Sequence, residues 1–148
     1  MKYTIRFLLL LLPLLAHMAM AEVRMPNLFG DHMVLQRDKA VRIWGWADPG
    51  ESVEVSFADQ TLKTKGLAEE GRWSVELKPL ESSSKGRPLT ITGKTDKVVL
   101  EDVVVGEVWV CGGQSNMEWS LRATRDADVE ITSADSPGIR FIRLPKVA

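Results

Sequence analysis

Apolar and polar residues alternate along much of the middle of the chain. Val41, Ile43 and Gly45 alternate with Arg42, Trp44 and Trp46, and Asp48-Pro49-Gly50 then marks a turn. Val53, Val55 and Phe57 alternate with Ser52, Glu54 and Ser56. After a turn at Glu69-Glu70-Gly71, Trp73, Val75 and Leu77 alternate with Ser74, Glu76 and Lys78. A repeat of two residues is the signature of a strand with one face buried. Ser82 to Gly86 reads as a polar loop, Leu89 and Ile91 as a short strand ending at Gly93, and Val98 to Val105 as one or two more. Short strands at regular spacing, with no helical stripe between them, predict a small antiparallel β-sandwich over residues 22–103.

The texture changes at residue 104. Val103-Val104-Val105 and Val108-Trp109-Val110 form a nearly continuous apolar run. Such a run suits a strand buried on both faces, as in a parallel α/β sheet. Gly112-Gly113 ends it, Ser115 can open a helix, Pro137-Gly138 closes that helix, and Ile139 to Arg143 reads as the next strand. Residues 104–148 are therefore predicted to begin an α/β domain with one strand–helix–strand unit.

The first 21 residues have a different logic. Lys2 and Arg6 precede the uncharged run Phe7–Leu15, and Ala19-Met20-Ala21 places small residues where a signal peptidase cuts. The run is far shorter than the ~20 residues a spanning helix needs, and Pro13 interrupts it. An export signal over residues 1–21 is expected rather than a stable membrane anchor, with a periplasmic or extracellular product. Cleavage after Ala21 would leave His32 as the one histidine.

Composition narrows the chemistry. A net charge of −1 in 148 residues gives no basic surplus for nucleic acid. One cysteine, Cys111, excludes an internal disulfide, and two histidines leave little for a metal centre. Cys111 is expected to be a buried thiol at a strand end. Trp44 and Trp46 share a strand face; packing is the first reading and stacking on a sugar ring the alternative. Arg122 and Arg125 read as solvated, with contact to an acidic sugar as the alternative.

A serine between a buried strand and a helix start is well placed as a nucleophile. It needs a base, and donors for the oxyanion, which free amides at a helix start can partly supply. Ser115-Asn116-Met117-Glu118 also has the spacing of a capping box, with Glu118 closing it. The G-x-S-x-G elbow is not matched, because Met117 stands where glycine is required.

The run from Val105 to Trp119, with Gly113-Gln114-Ser115-Asn116-Met117 at its centre, closely resembles the first block of the sialate O-acetylesterase family, a branch of the SGNH hydrolases. Asn27 to Arg37 and Val41 to Gly50 resemble the β-rich N-terminal region of the same enzymes. The resemblance implies a secreted carbohydrate esterase acting on an O-acetylated sugar or glycan, without metal or organic cofactor. It implies Ser115 as nucleophile and the Ser115 amide as an oxyanion donor. It also implies later blocks supplying an oxyanion Gly and Asn and an Asp-x-x-His acid–base pair. No Asp-x-x-His, and no histidine at all, follows Ser115 here, where the sequence is about the length of one βα unit of ~30 residues. His32 lies near the start of the β-rich region, where the family places no base. The chain is thus expected to be an N-terminal fragment, inactive alone, partnered by the missing part of the hydrolase domain. The rival readings are a non-catalytic β-module that binds glycans or a partner chain, and an SGNH esterase for another acetylated glycan such as xylan.

Overall fold

Seven strands account for nearly all the regular structure in the computed structural model, which describes residues 22–144. The predicted leader, residues 1–21, lies outside the described residues. The strands are β1 (Val34–Gln36), β2 (Val41–Trp46), β3 (Ser52–Phe57), β4 (Gln60–Lys65), β5 (Arg72–Leu77), β6 (Ser83–Thr92) and β7 (Lys97–Gly106). The period-2 pattern does what it encodes. In β5, Trp73, Val75 and Leu77 turn inward while Arg72, Ser74 and Glu76 face solvent. In β3, Val53, Val55 and Phe57 are buried.

β2 and β5 form a two-stranded antiparallel sheet, with Ile43 opposite Val75 and Gly45 opposite Trp73. The other five strands form one sheet in the order β1-β7-β6-β3-β4. β3 and β4 are joined by a two-residue turn, and Ala58 at its first position has the positive φ that a tight hairpin demands. Ile43, Trp73 and Leu77 from the small sheet join Val53, Val55, Phe57, Leu89, Ile91, Val103 and Val105 from the large one in a single buried cluster. Among the described residues no helix is long and apolar enough to cross a membrane.

The strand pattern departs from the sequence reading in several places. Not every pair is antiparallel: β1 runs parallel to β7, with Val34 opposite Val104 and Gln36 opposite Gly106. The polar stretch after Ser82 is not a loop; β6 begins at Ser83 and reaches register with β7 through irregularities on both sides of Arg87. β7 runs through the junction anticipated after residue 103; Val103, Val104 and Val105 are all buried, Val103 and Val105 within the core cluster. Finally, residues 107–144 do not form a strand–helix–strand unit. They hold two 3₁₀ turns, Ser115–Glu118 and Leu121–Ala123, and one short helix, α1 (Ala127–Ser133). Val108-Trp109-Val110 and Ile139–Arg143 are not strands; Val110 is 96% exposed and Phe141 93%. A strand apolar on both faces needs neighbouring strands and covering helices, and among the described residues none covers these segments.

Candidate active site

Ser115 is the first residue of the turn Ser115–Glu118, and it is exposed. Gly113 lies close beneath the turn: a Cβ there would lie 3.0 Å from the Met117 side chain. The turn is closed by the Met117 amide donating to the Gln114 carbonyl at 2.9 Å and the Trp119 amide to the Asn116 carbonyl at 3.3 Å. Those two bonds use neither the Ser115 nor the Asn116 amide. The capping-box reading is corrected here. The N-cap position belongs to Gln114, so Ser115 lies inside the turn, and Glu118 is the acidic residue of its first turn. Cys111 is exposed rather than buried, because the strand expected to end there does not form. Trp44 and Trp46 pack edge-on with centroids 5.3 Å apart, and Phe29 meets Trp44 edge-on at 6.4 Å. Arg122 is exposed, and Arg125 lies 3.6 Å from its neighbour Asp126.

Two polar clusters join residues 107–144 to the β-rich part, both through residues in or next to β1. At the first, Arg37 Nε donates to Glu107 Oε1 at 2.6 Å and Gln36 Nε2 to Glu107 Oε2 at 3.1 Å, while the Val108 amide donates to Gln36 Oε1 at 2.9 Å. The Arg37 hydrogen bond is the main reason that the Glu107 carboxyl sits below its ordinary range, and Gln36 adds to it. The same bond pushes Arg37 upward. At the second, Asp102 Oδ2 lies 2.8 Å from His32 Nδ1 and 3.0 Å from Arg140 Nη2. Arg140 Nη1 also donates to the Asp102 carbonyl at 2.5 Å and the Met33 carbonyl at 3.4 Å. The hydrogen bond from His32 does most to hold the Asp102 carboxyl below its usual range, with the Arg140 charge assisting.

His32 therefore spends its Nδ1 on Asp102 and makes no hydrogen bond to Ser115. Asp102, Glu107, Arg37 and Arg140 were not singled out by reasoning from sequence. One signal was available: Glu101-Asp102 interrupts an apolar run inside β7, and Asp is depleted in strands unless a bulge or special contact places it there. Among the described residues no group of His, Cys, Asp and Glu side chains could hold a metal ion.

The lowered carboxyls fix a sign for acid. A carboxylate whose folded pKa is depressed contributes stability above its unfolded pKa and loses it as pH falls through the folded value. The contacts of Asp102 and Glu107 are expected to persist through the ordinary carboxylate range and to open below it. A pH titration of the two carboxyl resonances by NMR checks this; midpoints at or above the usual Asp and Glu values would contradict the clusters.

No protein-family model matches the chain. Among solved structures it is similar to a carbohydrate acetylesterase from Xanthomonas citri, with a TM-score of 0.74 and 34% identity, covering 78% of this chain and 26% of that one. The class to which the chain is related is thus that of ester hydrolases acting on acetylated carbohydrates. Within it the particular likeness is to sialate O-acetylesterase. The Mus musculus enzyme is 26% identical over 134 residues, covering 84% of this chain and 24% of that protein. The Homo sapiens enzyme is 30% identical over 122 residues, covering 74% and 23%. The likeness to sialate O-acetylesterases thus extends over most of this chain, and the chain spans about a quarter of the length of the relatives it matches.

Proposed function

We propose that this chain supplies the β-rich region and the nucleophile turn of an exported carbohydrate O-acetylesterase, with O-acetylated sialic acid as the first substrate to test. The observation that carries the reading is Ser115, exposed on a tight turn inside the one run of sequence that most resembles these esterases. Its Oγ attacks the acetyl carbonyl while a base takes the hydroxyl proton. The Ser115 amide is a donor for the oxyanion. The sugar oxygen leaves with that proton, and water then hydrolyses the acetyl-enzyme, freeing acetate and Ser115. The base and its acidic partner belong to sequence beyond these residues. Val108, Trp109, Val110, Phe141 and Ile142 are exposed apolar residues that the rest of the hydrolase domain would cover. The basic start, apolar run and Ala19-Met20-Ala21 support export.

The chain alone is expected to hydrolyse aryl acetates no faster than background, since a serine without a base retains only residual catalysis. Joining it to a continuation that carries Asp-x-x-His is expected to create activity that depends on Ser115. Serine-dependent turnover by the unextended chain that survives His32→Ala would overturn this division of labour.

A further inference from the structure

We propose that the strip around β1, residues 32–37, clamps both ends of the serine-bearing segment, and that Arg140 is the positioning residue that locks its far end. At the near end Gln36 and Arg37 hold Val108 and Glu107. At the far end Met33 and Asp102 hold Arg140, and His32 meets the same Asp102 oxygen, Oδ2, that Arg140 does. The two grips are separated only by Val34 and Leu35 of β1. The sequence from Val108 to Arg140, with Ser115 inside it, is thus a closed loop rather than a free tail.

The far grip is built, not incidental. Asp102 sits inside β7 with φ 53° and His32 has φ 61°, left-handed conformations that cost energy in non-glycine residues and persist only when the surroundings impose them. The irregular pairing of β6 with β7 falls at the same place. Gly86 on β6 leaves room for the carboxylate: a Cβ there would lie 1.8 Å from Asp102 Oδ1. A strand whose sole task was to complete a sheet would need none of these departures. Together they present one carboxylate to one guanidinium from 38 residues later in the chain. The Arg140 side chain is only 21% exposed and is shared between a carboxylate and two carbonyls, which makes the contact stronger than an open surface ion pair. The entropic cost of closing a loop grows only slowly with its length, so the length of this segment is no obstacle to holding it by a few charge-assisted bonds.

The bearing of the clamp on catalysis rests on Ser115 being the nucleophile; the clamp itself does not. The test therefore reads order rather than activity. In the ¹⁵N-labelled chain, backbone order parameters for residues 136–144 are expected near 0.85, falling below about 0.6 in Arg140→Ala and in Asp102→Asn, with β2 to β6 unchanged. Arg140→Lys, which keeps the charge but loses the fork, is expected to fall between. Residues 136–144 already mobile in the parent, unchanged order in Arg140→Ala, or loss of order throughout the strands would each overturn the proposal.

Discussion

Ser115→Ala, made in a protein where this chain is joined to a continuation carrying Asp-x-x-His, is expected to lower deacetylation by on the order of 10⁴-fold or more. Losing a nucleophile removes the covalent step, and what remains is the contribution of binding and oxyanion donors. The structure sharpens the accompanying stability effect. Ser115 is exposed and does not occupy the N-cap position, so no cap is lost and the change should stay within about 0.5 kcal/mol. Steady-state kinetics on an O-acetylated sugar, beside a urea unfolding curve, separate the two quantities. A folded Ser115→Ala enzyme with near-normal activity would remove Ser115 from the chemistry.

The second large effect lies in the core. Trp73→Ala is expected to destabilise the β-rich region by about 3–5 kcal/mol, the range for deleting a buried aromatic side chain. Trp73 is 1% exposed and faces Gly45 across the two-stranded sheet. The fit between them is close: a Cβ at Gly45 would lie 2.9 Å from the Trp73 ring and 2.2 Å from the Arg24 carbonyl. Against a typical total of 5–15 kcal/mol this loss is a large fraction of stability. Trp73→Phe should cost clearly less. It keeps an aromatic ring, and it removes an indole N–H that is buried without a partner among the described residues. Urea midpoints for the two variants test the pair; a Trp73→Ala cost below about 1 kcal/mol would mean that this residue is not part of the core that holds the sheets together.

How far the sequence could be read follows from which residues carry a pattern. β2, β3 and β5 were legible because their inward positions are apolar at every second residue. β4 was not, because Leu62 is the one apolar residue in Gln60–Lys65; it is an edge strand whose place is set by pairing with β3. β1 is three residues long and pairs in parallel with a partner far along the chain, which no local pattern reveals. Residues 108–110 carry the composition of a strand covered on both faces, but a pattern of that kind states what the segment needs, not whether neighbours supply it. The misreading of Cys111 followed from the same assumption. The turn at Ser115 was legible through a run of residues whose chemistry is recognisable as a unit. Arg140 and Asp102 were hidden because their contact depends on a left-handed residue and a gap beside a glycine, and both are properties of the folded backbone.

The parallel pairing of β1 with β7 also sets an order in time. His32 and Asp102, flanking that pair, are 70 residues apart. At synthesis rates of about 5–20 residues per second, the first strand made waits on the order of several seconds for its partner to exist. The hairpin of β3 and β4 can form at once, because its contacts are local. β1 is then among the last strands to find its place. Until β7 is made β1 has no partner and is open to any other extended chain nearby, so the vulnerable interval of this protein is the gap between making its first strand and making its seventh.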